Sequence, residues 1–302
     1  MIERNLPLTV AAHILLLLGV GSICFPLWYA FVGASLPISE VLRTPMPLVP
    51  GDQLVENVMS AWNRGAFGRQ LVNSAIMATV IAAGKIAISL LSAFAITYFR
   101  FPFRTAAFWA IFVTLMLPIE VRIVPTYEVA ANALSPLAWA AEASGLDDLL
   151  GGRLTAGLQW SLLDSYVGLT LPLIASATAT FLFRQFFLTV PEDLAEAAKI
   201  DGAGPLRFFK DVLLPLSTTN IAALAVILFV FGWNQYLWPL LITTDPSMTT
   251  IVVGVARLIP GPDAQPAWNV AMAGGLIALA PPVLVVIALQ HWFVKGLVDT
   301  EK

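Results

Sequence analysis

The sequence predicts an all-α, polytopic membrane protein with six transmembrane helices, and three observations predict it. Of 302 residues, 58% are hydrophobic and 12% charged, with a mean hydropathy of +0.83; these values lie outside the globular range, so lipid is the expected solvent. Four stretches, 5–39, 165–183, 212–244 and 264–294, contain no Asp, Glu, Lys or Arg. Two further apolar runs are less clean: 70–99 is interrupted only by Lys85, and 105 to about 126 meets Glu120 and Arg122 toward its far end. A helix needs about 20 such residues to cross the hydrocarbon core, where only a helix or closed barrel satisfies its own backbone.

Taken in order, the expected spans are 10–34, 72–98, 105–126, 166–188, 217–243 and 268–294, all within one transmembrane domain covering 1–302. The first run is too long for a signal-peptide core, follows a weakly basic start (Glu3, Arg4) and lacks a small-residue cleavage site, so it is read as a retained span. Six spans place both termini on one side. That side carries nine basic residues, Arg4, Arg100, Arg104, Arg184, Lys199, Arg207, Lys210, Lys295 and Lys302. The other carries five, Arg43, Arg64, Arg69, Arg153 and Arg257, in longer loops, with Lys85 and Arg122 counted as intramembrane. The excess places both termini in the cytoplasm. Residues 35–70, 127–165 and the proline-rich 244–267 are then external.

Several function classes fall away. A net charge of −3 offers no basic face for nucleic acid. Cys24 is the single cysteine and sits in an apolar run, which excludes an internal disulfide and a multi-cysteine metal site and suggests a small buried apolar residue. His13 and His291, both toward span ends, are the only histidines, so neither a Ser-His-Asp triad nor a histidine metal centre is expected. Gly84-Lys85 lacks the rest of a Gly-rich phosphate loop. The chain is expected to be non-catalytic and to bind no cofactor of its own.

The one sizeable cytoplasmic loop, 189–215, reads as two short helices around a glycine break. Pro191 suits a first helical position, Glu192 and Asp193 complement the positive end of the helix dipole, Gly202 can end the helix with positive φ, and Pro205 can start the next. Ala195, Ala197 and Ala198 form a small-residue surface that lets another backbone approach, which suits docking.

Glu196-Ala197-Ala198, Asp201-Gly202, and then Val212 and Leu214-Pro215 resemble, in identity and spacing, the EAA loop of ABC importer membrane subunits, with Val212 in place of the usual isoleucine. The resemblance extends over nearly the whole chain. Residues 231–241, from Phe231-Gly232-Trp233-Asn234-Gln235 to Leu240-Leu241, are similar to the maltose-type carbohydrate permeases. Gly84-Lys85-Ile86, the stretch 116–123, the stretch 178–187 and the tail 296–302 are similar to the second membrane subunit of the sn-glycerol 3-phosphate importers. The departure is 132–162, which looks inserted ahead of Leu163-Asp164-Ser165-Tyr166.

The resemblance implies a type I importer permease fold in a bacterial inner membrane, with the loop acting as a coupling helix. It also implies a homologous second permease, two copies of a cytoplasmic ATPase subunit that holds ATP and Mg, and a periplasmic or extracellular substrate-binding protein. Glu196, Ala197, Ala198, Asp201, Gly202, Leu214 and Pro215 carry over as the ATPase-coupling positions. The implied cargo is sn-glycerol 3-phosphate or a related glycerophosphodiester, with neutral sugars as the alternative; a membrane-embedded enzyme or a secondary transporter fits less well.

The intramembrane polar residues admit two readings. Lys85 and Glu120 fall at similar depth and can pair, since an unpaired central charge costs about 2.5–3.5 kcal/mol on insertion scales. Alternatively Lys85 or Arg122 lines the pathway and attracts an anion. Asn234 and Gln235 either line that path or hydrogen-bond neighbouring helices. Trp233, Tyr236 and Trp238 serve as packing or interfacial residues, or as a stacking platform for a sugar.

Overall fold

The computed structural model describes residues 6–114, 119–145, 149, 155, 157–259, 261 and 267–298, and no strand occurs among them. In order the chain forms α1 (Leu6–Ser35), α2 (Ile38–Val41), α3 (Leu54–Gly65), α4 (Phe67–Tyr98), α5 (Arg104–Val113), α6 (Ile119–Ala131) and α7 (Ser135–Ala143). It continues through α8 (Tyr166–Leu173), α9 (Ala177–Thr189), α10 (Glu192–Ile200), α11 (Pro205–Leu216) and α12 (Thr218–Trp233), then α13 (Leu237–Ile242), α14 (Ile251–Leu258) and α15 (Trp268–Val298). Arg4, Arg153 and Lys302 of the basic tally, Pro260, Pro262 and Pro266 of the expected third external loop, and the side chains of Glu120, His291 and Lys295 lie outside the described residues.

Three helices, α1, α4 and α15, are long and apolar enough to cross a membrane unbroken. The remaining expected spans are not single helices. Expected span 166–188 is α8 and α9 bent by 50° about residues 174–176, and the span beginning at 217 is α12, set at 71° to α11. Expected span 105–126 is α5, ten residues long, followed beyond 115–118 by α6. The physical cause is local chemistry that hydropathy does not register. Pro172 brings no N–H to the ladder in α8, and Ser176 starts a new helix by accepting from the Ala179 amide at 3.3 Å. Within α11, Phe209–Leu213 is a π-helical turn, Pro215 follows without an N–H, and the Ser217 hydroxyl donates to the Leu213 carbonyl at 2.6 Å.

The chain divides into two compact units, residues 1–68 with 253–281, and residues 69–252 with 282–302. In the first, Val32, Leu36 and Met46 form a small core with Tyr29 and Val41. Most of α1 is exposed, including Leu15, Leu17 and Ile23. Cys24 is exposed too, so its reading as a buried residue is corrected; a helix apolar on every side has no buried side to assign from sequence. His13 donates to the Thr9 carbonyl at 2.7 Å.

The second unit holds two cores. Met77, Ile81, Leu169, Leu173, Trp238 and Ile242 form one, with Trp238 Nε1 donating to the Gly168 carbonyl at 3.1 Å, so Trp238 packs as expected. Phe94, Phe183, Phe187, Phe208 and Leu213 are central to the other, which joins α4, α9 and α11. Gly232 of α12 lies against α4 so closely that an added Cβ would stand 2.9 Å from the Ala78 Cα. Apolar tails supply no hydrophobic drive between helices in lipid, so close contact of small residues takes that role.

Candidate functional site

Helix α10 begins at Glu192, with Pro191 as its N-cap rather than its first helical residue. Glu192 and Asp193 occupy the first turn and Lys199 the last, each complementing the dipole. The helix stops in a Schellman turn. Gly202 has φ +72°, its N–H donates to the Lys199 carbonyl at 3.0 Å, and the Ala203 N–H donates to the Ala198 carbonyl at 2.8 Å. A residue with a Cβ is disfavoured in that left-handed conformation, which accounts for glycine here. Pro205 then opens α11, as the sequence suggested.

This geometry divides the predicted coupling residues into two sets. Ala195 and Ala198 pack against the aromatic core, where the Phe94 and Tyr98 rings are 5.6 Å apart, Tyr98 and Phe208 5.3 Å, and Phe94 and Phe209 4.9 Å. The expectation that Ala195 and Ala198 belong to an outward small-residue surface is thus corrected: both are half-buried and seat α10 on the chain's own aromatic residues. Leu214 also packs into that core, while Pro215 is exposed. Glu196, Ala197, Asp201 and Gly202 remain on the exposed side. Glu196 shares a groove with Arg100, Arg104 and Lys199, and Arg207 pairs with Asp211 at 3.4 Å across one exposed helical turn.

Sequence reasoning missed two residues on this outward side. Ile200 is 86% exposed and Leu206 76%, one on each side of the Gly202 turn. Two large aliphatic side chains flanking a glycine turn are the signal, and at this exposure no packing among the described residues accounts for them. The outward surface thus combines apolar anchors, a small residue and unpaired carboxylates, a composition suited to receiving another protein. Inward, the aromatic core ties the same loop to α4 and α9 through close-packed rings.

A second constellation lies within the apolar helices. Lys85, on α4, is 7% exposed, and its Nζ stands 4.3 Å from the centroid of the Phe231 ring. It lines a recess of about 350 Å³ with Ser92, Arg122, Ser176, Thr178 and Phe231. The expected Lys85–Glu120 pair falls, at its Glu120 side chain, outside the described residues. Asn234 is exposed at the end of α12, and Gln235 donates back to the Phe231 carbonyl at 3.1 Å, so Gln235 caps its own helix rather than bridging to a neighbour.

Comparison with known proteins adds the following. Residues 59–299 match the family described as binding-protein-dependent transport system inner membrane component. The chain is 53% identical over 308 residues to the sn-glycerol-3-phosphate transport system permease protein UgpE of Yersinia pestis bv. Antiqua (strain Antiqua), with all of both chains covered. It is 51% identical over 309 residues to the protein of the same name from Agrobacterium fabrum (strain C58 / ATCC 33970), again over both full lengths. The fold is similar to a chain of a bacterial ABC transporter involved in the import of the acidic polysaccharide alginate, with TM-score 0.69 and 17% identity over 97% of this chain and 99% of that one. The family match over most of the length and the full-length identity place this chain in the binding-protein-dependent transport system inner membrane component family, as a permease subunit of an ABC importer.

Proposed function

We propose that this permease carries sn-glycerol 3-phosphate, or a related glycerophosphodiester, into the cytoplasm, driven by ATP hydrolysis on a separate subunit. The 53% identity to UgpE along the entire chain carries the reading. In it, the chain pairs with a second, homologous permease, rests on two ATPase subunits that hold ATP and Mg, and receives solute from a binding protein outside. Both termini and the 189–215 loop face the cytoplasm, in keeping with the excess of Lys and Arg on that side.

Helix α10 and the Gly202 turn dock on the ATPase through Glu196, Ala197, Asp201, Ile200 and Leu206, while Ala198 and Leu214 hold the loop to the spans. Closure of the ATPase pair then moves α10 as a rigid body, and the Phe94, Tyr98, Phe187 and Phe208 rings pass the motion to α4 and α9, alternating access across the membrane. This chain makes or breaks no covalent bond in that cycle.

Uptake into proteoliposomes containing the assembled transporter tests the cargo. Accumulation of labelled sn-glycerol 3-phosphate, undiminished by excess maltose, is the expected result. Maltose uptake with no glycerol phosphate accumulation would replace this reading with that of a neutral-sugar importer.

A further inference from the structure

The recess beside Lys85 has features that the packing of the helices does not require. Lys85 is 7% exposed in the middle of a 32-residue apolar helix, and no described Asp or Glu lines the recess with it. Among the described residues the second charged group there is Arg122, so two cations converge on the recess. Arg122 is exposed within an expected span, a position that lipid penalises and that water or a polar solute does not.

A helix also starts here. The break at 174–176 leaves irregular backbone at Ala175 and Ser176, which line the recess, and such backbone persists at membrane depth only against protein or a watered cavity. The thirteen-residue α9 begins at the break. Ser176 caps the Ala179 amide, and the amides of Ala177 and Thr178 have no acceptor among the described residues. The positive end of the helix dipole therefore adds to two side-chain cations, with the Ser92 and Thr178 hydroxyls alongside.

We infer that this recess is a transit subsite for the phosphate group of the solute, with Lys85 and Arg122 neutralising it and the first turn of α9 donating amide hydrogen bonds. The inference rests on the permease carrying a phosphate-bearing solute. Its volume of about 350 Å³ lies within the range of small-molecule sites. The aromatic face of Phe231 holds the ammonium by a cation–π contact until an anion arrives.

The test uses the complete transporter in proteoliposomes and reads labelled sn-glycerol 3-phosphate taken up per ATP hydrolysed. A transit subsite acts after delivery by the binding protein, so the loss should fall on that ratio. Lys85→Met and Arg122→Gln should each lower it about tenfold, the effect of one charge-assisted hydrogen bond, and Lys85→Arg should restore most of it. Arg122 is exposed, so its variant tests the subsite even if Lys85→Met does not assemble. A wild-type complex that takes up no glycerol phosphate would remove the functional reading and this inference with it. Wild-type uptake with an unchanged ratio in Arg122→Gln and in whichever Lys85 variants assemble would remove the subsite alone. Full recovery in Lys85→Met combined with Glu120→Gln would assign the lysine's charge to Glu120 and overturn the inference.

Discussion

Asn269 donates from Nδ2 to Asn57 Oδ1 at 2.8 Å across 212 positions of sequence, and both side chains are buried. Asn57 uses its own Nδ2 to reach the carbonyls of Ala34, at 2.8 Å, and Leu36, at 3.1 Å, just where α1 ends and its last carbonyls lack intrahelical donors. One side chain thus closes the end of α1 and ties it to the start of α15. Asn57→Leu keeps the bulk and removes every bond, leaving carbonyls and the Asn269 amide buried and unpaired. The expected cost is about 2–3 kcal/mol, read as a drop in the thermal unfolding midpoint of the purified complex; an unchanged midpoint would refute the role.

Asn132 clamps the base of the 132–162 segment. Its Oδ1 accepts from the amides of Leu134 and Trp160, each at 3.1 Å, its Nδ2 donates to the Leu158 carbonyl at 3.0 Å, and the Ala133 amide donates to the Trp160 carbonyl at 2.8 Å. The segment therefore leaves and returns at one point, so its removal need not disturb what flanks it. A chain with 134–159 replaced by a two-residue turn should insert and assemble at near wild-type yield, whereas Asn132→Ala in the full chain should speed proteolysis within the segment several-fold.

Asp164 sits at φ +51° and its carboxylate accepts from the Thr244 hydroxyl at 2.5 Å and from the amides of Thr244 and Asp245 at 2.6 and 2.7 Å. Desolvation, the largest single influence, pushes its pKa up, but the bonds from the Thr244 hydroxyl and the two amides together outweigh it and hold the pKa below the ordinary carboxylate value. A depressed folded-state pKa means stabilisation that is present above the unfolded value, about 3.9, and is lost as pH falls through the folded one. Asn tolerates the left-handed backbone, so Asp164→Asn isolates the charge. The variant should unfold a few degrees below wild type at neutral pH, and the gap should close in acid below about pH 4. A gap independent of pH would show that the charge contributes nothing.

At Gly202 an added Cβ would meet nothing within 4 Å in this chain. Gly202→Ala in the free subunit therefore suffers only left-handed strain, about 1–2 kcal/mol, and Gly202→Asn suffers less because Asn accepts that conformation. Against a docked ATPase the order should reverse, because Asn is larger. Gly202→Asp adds an uncompensated charge and should lose the ATPase on purification while still inserting and holding the partner permease. The measurement is ATPase stoichiometry in the purified complex across Ala, Asn and Asp. Full stoichiometry in all three would show that this turn is not the docking site.

The sequence by itself determined the solvent, the helical class and the chemistry of the 189–215 loop. Charge-free runs are read directly, and a capped helix ended by Gly202 is a local matter of φ and dipole, settled within about ten residues. Only the tertiary structure decided where the helices break and which residues face outward. Hydropathy averages over Pro172, Ser176 and Ser217, whose effects are single hydrogen bonds, so expected span 166–188 emerged bent and span 217–243 interrupted at 234–236. The fate of Ala198 depended on Phe94, which comes from α4 and sits well apart from it in sequence, together with Phe208 of the next helix, and the exposure of Ile200 and Leu206 followed from the same seating of α10. The recess that joins Lys85, Arg122 and the start of α9 exists because α4, α5, α6, α9 and α12 meet there, and no periodicity within one helix encodes that meeting.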